Sequence, residues 1–261
     1  MSPKILVLDV ERVPSWTKPL AFWSPKDLQH KYLGADDVAE WGRTICLAYQ
    51  WYGERQVHFI AEWQEGGREG YLAKAKGLLE ECDVLSGHNS KFFDFPHLQG
   101  DLIMAGLGAV PEPKHIDTLL IARKKANWEM NHLAVLTQRL GIPTKNDKYR
   151  IDVAMGAAAG DVKLQRRIER YNKGDVRAST GMLTKFLPIS GVNLGVFVDS
   201  ERPTCSRCTS AKLQRRGYAT TTAGRYPRFQ CQSCGGWSKG KGLLRPEDGG
   251  LPKGTTELRP I

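Results

Sequence analysis

Two acidic residues follow a short apolar run near the N-terminus. The stretch KILVLDVERVP, residues 4–14, places Asp9 and Glu11 two positions apart after a run of Ile, Leu and Val. On a β-strand, residues two apart have side chains on the same face, so the two carboxylates should lie side by side. Such a pair is repulsive unless a cation or a proton lies between its members. The pair therefore indicates either a metal site or a strand that simply ends in solvent.

Two later stretches carry side chains of the same chemical kind. In SGHNSKFFDFPHL, residues 86–98, Asn89 is followed four residues later by Phe93 and then by Asp94, where a helix begins. In RYNKGDVRAST, Tyr171 and Asp175 are four apart, so on a helix they share one face. Each stretch alone also has an ordinary explanation: Asp94 can cap the helix, and the second pair can be a coincidence of the surface.

Taken in chain order, the three stretches resemble the motifs of the DEDD superfamily of 3′→5′ exonucleases. The motifs are Asp-x-Glu, Asn-x-x-x-Phe-Asp and Tyr-x-x-x-Asp, and the resemblance covers roughly residues 1–190. The tyrosine branch is the one that is similar, because the histidine branch would need His at the position of Arg170. One position departs from the pattern: many members have Thr after the first-motif Glu, where this chain has Arg12.

The resemblance implies hydrolysis of phosphodiester bonds with the help of two metal ions. Four carboxylates would hold two Mg²⁺ or Mn²⁺ ions, which prefer oxygen ligands: Asp9, Glu11, Asp94 and Asp175. Asp9 would bridge both ions, Glu11 and Asp175 would complete the site on the side of the nucleophile, and Asp94 would serve the second ion. The four carboxylates and Tyr171 are the expected catalytic residues.

The resemblance also implies how substrate would be held. Tyr171 would orient the attacking water, while Asn89 and Phe93 would shape the substrate pocket. The expected partner is nucleic acid, with DNA favoured and single-stranded 3′ ends as the substrate. Three alternatives stay open: a nuclease directed at RNA, an endonucleolytic cut, and a non-catalytic nucleic-acid-binding protein on the same fold.

Four of the six cysteines form two closely spaced pairs near the C-terminus. The pairs are CSRC and CQSC, with 22 residues between them, and they comprise Cys205, Cys208, Cys231 and Cys234. Two such pairs at this separation are typical of one structural Zn²⁺ held by four thiolates, and the segment resembles a zinc ribbon. Free or disulfide-bonded cysteines are the alternative. Cys46 and Cys82 lie in apolar contexts and are expected in the core.

Positive charge is concentrated in the same C-terminal region. The formal net charge is +10, and from residue 200 onward 12 Lys and Arg face four Asp and Glu. Four arginines alternate with aromatic residues in the predicted ribbon and are the expected nucleic-acid contacts: Arg215, Arg216, Arg225 and Arg228, beside Tyr218, Tyr226 and Phe229. The alternative is a ribbon that docks on the catalytic domain or on another protein.

The elements that must position these residues indicate an α/β fold. An apolar strand, a hairpin turning at Gly53 and Glu54, a helix, a strand, a helix, another strand and further helices follow one another. We therefore expect a ribonuclease-H-like mixed central sheet flanked by helices over residues 1–199. A small β-rich zinc ribbon over 200–245 and a flexible tail over 246–261 should follow it.

The remaining features narrow the class of protein. No apolar run approaches the roughly 20 residues that span a bilayer, and the N-terminus lacks the features of a secretory signal. We expect a cytoplasmic monomer without a membrane partner, in the host cytoplasm if the chain is encoded by a phage. The spacing of His88, His97, His115 and His132 does not suggest zinc catalysis, and these histidines are expected to be structural or to face substrate. Asp117 is expected in a turn or cap, with a place near the acidic residues as the alternative.

Overall fold

The computed structural model describes residues 2–17, 21–22, 35–64, 66–143, 149–222, 224–240 and 258–260. The described residues before position 120 contain eight strands: β1 (Ile5–Val13), β2 (Ser15–Thr17), β3 (Ala21–Phe22), β4 (Val38–Glu40), β5 (Arg43–Trp51), β6 (His58–Ala61), β7 (Val84–Gly87) and β8 (Lys114–Asp117). The helices are α1 (Gly67–Glu81), α2 (Asp94–Met104), α3 (Thr118–Ile121), α4 (Leu133–Arg139), α5 (Ile151–Ala158) and α6 (Val162–Phe186). A π-helical turn, Ala122–Ala126, continues α3.

The central sheet has five strands in the order β6-β5-β1-β7-β8. β5 pairs antiparallel with both β1 and β6, whereas β1, β7 and β8 run parallel. The predicted hairpin is confirmed, since β5 and β6 are joined by a turn at Gly53 and pair Tyr49 with His58. The result is a mixed sheet with helices on both faces, consistent with the ribonuclease-H-like class expected from the sequence.

Strand β1 is central in the sheet and is buried on both faces. Ile5 and Val7 pack with residues of α4 and α6, whereas Leu6 and Leu8 pack against α1 and α2. Because side chains alternate along a strand, the face that carries Ile5 and Val7 also carries the positions two and four further on. The strand therefore directs its acidic residues toward the side of the sheet that α6 covers.

Helix α6 is one continuous element of 25 residues. Asp161 caps its N-terminus by accepting hydrogen bonds from the backbone N–H groups of Lys163 and Leu164. Its buried positions recur every three or four residues, as expected for a helix with one face on the sheet: Ile168, Asn172, Val176, Ser179, Leu183 and Phe186. This helix brings residues from late in the chain onto the first strand.

A second, β-rich unit follows the helices. It contains β9 (Leu213–Thr221), β10 (Gly224–Cys231), β11 (Trp237–Gly240) and β12 (Leu258–Pro260), in the order β12-β11-β10-β9. The four cysteines predicted for zinc lie at its end. Pairing of β12 with β11 places Leu258–Pro260 in this sheet, although that stretch was predicted to be part of a flexible tail. The domain boundary near residue 245 stays a prediction, because residues 241–257 lie outside the described part. The boundary near residue 199 stays a prediction as well.

Two other local predictions differ from the structure. Short helical pieces were expected between residues 15 and 42; the described part has three short strands there and a single 3-10 turn, Ala35–Asp37, while residues 18–20 and 23–34 lie outside it. Helix α5 was not predicted; Val153, Ala154 and Ala157 on it pack beside β1 and α6. Among the described residues, the helices are too short or too polar to cross a membrane.

Candidate active site and metal centre

The acidic residues of β1 lie at the end of the strand, beside an irregular step in its pairing. Asp9 lies opposite Ala48 and Glu11 opposite Cys46 on β5, and the register shifts between Glu11 and Arg12. Asp9 is partly buried and Glu11 is 6% exposed. A strand that ended in solvent would leave both acids exposed, so that explanation of the pair does not hold.

Helix α6 adds a third carboxylate to this pair. Ligand atoms of Asp9, Glu11 and Asp175 all lie within 4.8 Å of one another. Tyr171, one turn before Asp175, lines one cavity with all three acids, and its phenol lies close enough to Asp175 to oppose the rise in the pKa of that carboxyl. Both residues of the third motif therefore face the two acids of the first motif, and the pair is not a coincidence of the surface.

Asn172 was not identified from the sequence, yet it joins the two acidic elements. Its side chain is completely buried. The Nδ2 group donates to Asp9 Oδ2 at 2.7 Å, to the Asp9 carbonyl oxygen at 3.0 Å and to Glu11 Oε1 at 3.3 Å. The signal for it was its place on the buried face of α6, four residues after Ile168 and four before Val176.

Asp94 is adjacent to this cluster and is held differently. It is the first residue of α2 and is 3% exposed. Its Oδ1 accepts a hydrogen bond from the backbone N–H of Val10 at 2.8 Å, so it links α2 to β1. The N-terminus of α2 has no side-chain cap, which excludes the capping explanation of Asp94. Of the four predicted carboxylates, three share one possible cation position and Asp94 lies beside them.

The acidic residues open onto a cavity of about 650 Å³. Its lining residues are Asp9, Val10, Glu11, Arg12, Phe93, His97, Tyr149, Ile151, Tyr171 and Asp175. Phe93, which was predicted to contact substrate, lines this cavity, and its ring meets the His97 ring edge-on at a centroid distance of 4.8 Å. Asn89 and Asp94 are not among the lining residues.

Asn89 instead belongs to the turn that supports Phe93. It has a positive φ of 79°, and its carbonyl oxygen accepts the N–H groups of Phe92 and Phe93. Asp117 holds this turn by accepting the N–H groups of Asn89 and Lys91, and it also caps α3. The cap role predicted for Asp117 is therefore confirmed, and Asn89 shapes the loop without reaching the cavity.

The same cavity also contains a cationic side chain and three rings. Arg12 Nη1 lies 3.0 Å from His97 Nε2, and the hydroxyl of Tyr149 donates to the Arg12 carbonyl oxygen at 2.7 Å. Burial, followed by the charge of Arg12, lowers the pKa of His97 to about 4, so the ring is neutral at pH 7. His97 was expected to be structural or to face substrate, whereas nothing in the local sequence around Tyr149 indicated a place in this cavity.

The electrostatics of the acidic cluster favour a bound cation. Burial and then the charges of neighbouring carboxylates raise the pKa values of Asp9 and Glu11 well above the ordinary range. Burial also raises the pKa of Asp94 to about 7 and that of Asp175 to about 6. Carboxylates crowded in this way are stabilised by a hard divalent ion, whose preferred ligands are oxygens. The residues present therefore fit a divalent cation.

The four C-terminal cysteines form a second possible metal centre. Their Sγ atoms all lie within 4.8 Å of one another, with two pairs at 3.7 Å. Zn²⁺–sulfur bonds of about 2.3 Å give a tetrahedron with edges of about 3.8 Å. Backbone N–H groups of Arg207, Ser233 and Gly236 donate to three of the sulfurs. The set fits a tetrahedral four-thiolate metal site.

The exposed face of the ribbon carries cationic and aromatic side chains in contact. Arg225 and Arg215 lie over the Tyr218 ring at 4.4 and 5.5 Å. Arg228 lies over Trp237 at 4.6 Å, and Lys239 over Tyr226 at 5.2 Å. Phe229 is 7% exposed, so it does not offer the stacking surface expected from the sequence. Arg216 is exposed and bonds to Gln214, and its contact with nucleic acid stays a prediction.

The end of the ribbon that holds Cys205 and Cys208 packs on the α/β unit. The backbone N–H of Leu194 donates to the Ser206 carbonyl oxygen at 2.7 Å. Arg207 Nη1 donates to the Val192 carbonyl oxygen at 3.3 Å, and Cys208 packs against the core that contains both Val192 and Leu194. The docking alternative is therefore correct for this end of the ribbon, while the face with Tyr218 and Trp237 stays exposed.

The comparisons with known proteins show a likeness to solved structures and none to a protein family. No family model matches the sequence, and no curated protein matches it. A solved structure of the family B DNA polymerase from the hyperthermophilic archaeon Pyrobaculum calidifontis is similar, with a TM-score of 0.49 and 17% identity. The match covers 72% of this chain and 25% of the polymerase chain. This chain therefore matches only about a quarter of the length of that polymerase chain.

Proposed function

We propose that the protein is a metal-dependent 3′→5′ exonuclease that hydrolyses phosphodiester bonds of nucleic acid, with DNA as the favoured substrate. The observation that carries this proposal is the meeting of Asp9, Glu11 and Asp175 within 4.8 Å, from a strand and a helix more than 150 residues apart in the chain. Tyr171 and the cavity beside them support it further. A protein that only bound nucleic acid would have no need to crowd carboxylates against an anionic partner.

The carboxylates would serve as the ligands of Mg²⁺ or Mn²⁺. Asp9, Glu11 and Asp175 share one cation position, and Asp94 lies close enough for its charge to raise the pKa of Asp9. Divalent ions held there supply activation of the attacking water and stabilisation of the leaving oxygen. Asn172 keeps the Asp9 and Glu11 carboxylates in place by donating to both.

Tyr171 acts as a hydrogen-bond donor in this proposal and not as a base. Burial, and then the charge of Asp175, raise the pKa of the Tyr171 phenol above its ordinary value. The phenol therefore keeps its proton at neutral pH. A protonated hydroxyl beside Asp175 can orient a water molecule next to the reacting phosphate. A divalent ion held by the carboxylates would lower the pKa of that water, so that its proton would pass to bulk solvent before attack.

Arg12 and Phe93, which line the same cavity, would contact the end of a strand. Arg12 offers a guanidinium toward the anionic phosphate, at the position where the related enzymes have Thr. The Phe93 ring, 37% exposed, presents a face on which a terminal base can stack. These contacts suit an unpaired end, because an unpaired base is free to turn its face onto the Phe93 ring.

The ribbon would hold the remainder of the nucleic acid. Its exposed Tyr218 and Trp237 rings, each in contact with arginine, suit bases flanked by phosphates. A Zn²⁺ at the four cysteines would supply most of the folding free energy of so small a unit, on the order of 10 kcal/mol. In this arrangement the α/β unit cuts and the ribbon retains the strand.

The test uses oligonucleotides labelled at one end. With Mg²⁺ or Mn²⁺, a 5′-labelled single strand should shorten stepwise, whereas a 3′ label should be released at once as a mononucleotide. Parallel DNA and RNA strands of one sequence determine the preferred polymer. Asp9→Asn should abolish degradation, while Asp36→Asn, the same change at an exposed position, should leave it intact. Equal rates for Asp9→Asn and the unaltered protein would refute the proposal.

A further inference from the structure

A second cavity lies on the other side of the loop that carries Phe93. It has a volume of about 310 Å³ and is lined by four lysines from three segments. Lys91 comes from the loop after β7, Lys114 from the edge strand β8, and Lys124 and Lys125 from the turn that continues α3. We call this site the lysine cavity. Residues so far apart in the chain converge here only because of the fold.

Positive charge is in excess in the lysine cavity, where four lysines face two carboxylates, Glu112 and Asp117. Lys91 lies 4.0 Å from Glu112, at the limit of an ion pair. In the described part of the chain, Lys114, Lys124 and Lys125 form no ion pair. The other carboxylate of the cavity, Asp117, accepts hydrogen bonds from four backbone N–H groups. Four like charges around one space are unfavourable without an anion.

A buried histidine, His115, also lines the lysine cavity. The side chain of His115 is 5% exposed, and among the described residues neither of its ring nitrogens has a hydrogen-bond partner. Its Nε2 lies 3.5 Å from Glu112 Oε1. A buried ring nitrogen without a partner is costly, and a phosphate oxygen entering the cavity could provide one. Geometry and charge thus both favour an anionic ligand.

The lysine cavity and the acidic cavity are neighbours along one loop. Lys91 lines the first and Phe93 lines the second. Two residues of extended chain span at most about 7 Å, so the two cavities are separated by little more than this loop. Phe92, between them, is 64% exposed, and Lys91 lies 5.9 Å from its ring centre.

We infer that the lysine cavity binds backbone phosphates of the same nucleic-acid strand whose 3′ end lies in the acidic cavity. The exposed Phe92 ring provides a stacking surface for a base where the strand crosses the loop. This inference rests on the proposed function, and it adds a strand path on the α/β unit that is separate from the ribbon.

The test measures binding without catalysis. Fluorescence anisotropy of 5′-labelled dT12 is recorded with the full chain in buffer without Mg²⁺ or Mn²⁺, over a series of salt concentrations. Each lost phosphate contact lowers the salt slope of single-strand binding by about 0.7. Lys124→Ala/Lys125→Ala should therefore lower the slope by about 1.4, which corresponds to roughly tenfold weaker binding at 0.15 M salt.

Two further variants make the test specific. Lys74→Ala/Lys163→Ala removes the same charge from exposed positions that line neither cavity, and its slope should be unchanged. Glu112→Gln removes a repulsive carboxylate and should tighten binding of dT12. An equal slope for the Lys124/Lys125 variant and the unaltered protein, or an equal loss in the control, would overturn the inference.

A mononucleotide arm separates a strand site from a nucleotide site. If dTMP binds with the same dependence on Lys124 and Lys125 and dT12 gains nothing over it, the strand path is wrong. The binding experiment requires no cleavage. If the protein lacks nuclease activity but shows the slope change, the proposed function is wrong and phosphate binding in the lysine cavity stands. If instead the protein shows nuclease activity but no change in salt slope, the proposed function stands and the strand path through the lysine cavity is wrong.

Discussion

Asp175→Asn tests whether the carboxylates are held together at a cost that a cation relieves. Burial raises the pKa of Asp175 from 3.8 to about 6, and the nearby Tyr171 phenol only partly opposes this rise. The folded protein therefore holds this proton more tightly than the unfolded chain does. Its contribution to the free energy of unfolding is consequently favourable at low pH and is lost as the pH rises from about 4 to about 6.

The size of the effect follows from the shift in pKa. A rise of about two units corresponds to about 3 kcal/mol at pH 7 and above, when the cation is absent. Asparagine has nearly the same shape, can still accept from Tyr171 and carries no charge. Asp175→Asn should therefore raise the free energy of unfolding by up to about 3 kcal/mol at pH 8 and change it little near pH 4.

Urea denaturation at pH 4 and pH 8, in buffer without Mg²⁺ or Mn²⁺, measures this difference. Added Mn²⁺ should then stabilise the unaltered protein at pH 8 more than Asp175→Asn, because the variant lacks one of the three carboxylates. Asp152→Asn is the matched control: this exposed carboxylate pairs with Arg150, which lowers its pKa, so its loss should bring no gain at pH 8. If Asp175→Asn is no more stable than the unaltered protein at pH 8, the buried repulsion does not exist.

Three further predictions concern the supports of the two metal centres. Asn172→Ala should lower the free energy of unfolding by about 1–3 kcal/mol, because Asp9 and Glu11 lose their shared donor; an unchanged urea midpoint would contradict this. Gly87→Ala should cost about 1–3 kcal/mol, since an added Cβ would lie 2.7 Å from Ser90 Cβ, whereas Gly77→Ala in α1 meets no atom within 4 Å and should be neutral or stabilising. Cys234→Ser should reduce bound zinc well below one per chain by elemental analysis and expose the ribbon to protease; full zinc occupancy would exclude the four-thiolate site.

The elements were largely predictable because hydrophobic periodicity is a local property of the chain. The strand before Asp9, the hairpin at Gly53 and the long helix around Tyr171 follow from apolar spacing and turn residues, and the structure has them. Helix α5 was missed, since its Ala- and Gly-rich sequence gives little contrast between faces. The order of strands in the sheet depends on pairing between distant segments, and local periodicity does not determine it.

The candidate site was predictable in its motif residues and not in its supporting ones. Asp9 and Glu11 share a face by the geometry of a strand, and Tyr171 and Asp175 by that of a helix, so each pair was evident from spacing alone. Asn172 was not, because its role depends on which face of α6 meets β1. Asp94 shows the same limit, since its bond to the Val10 N–H arises only when α2 packs beside the sheet.

By itself the sequence determined the classes of element, the two sets of candidate metal ligands and the basic character of the C-terminal region. These depend on residue type and on spacing within a few turns of chain. Tertiary structure alone decided that three carboxylates meet in one place, that Asp94 bonds to β1, and that four lysines from three segments surround one cavity. Those arrangements depend on the packing of segments far apart in the chain, which no local pattern encodes.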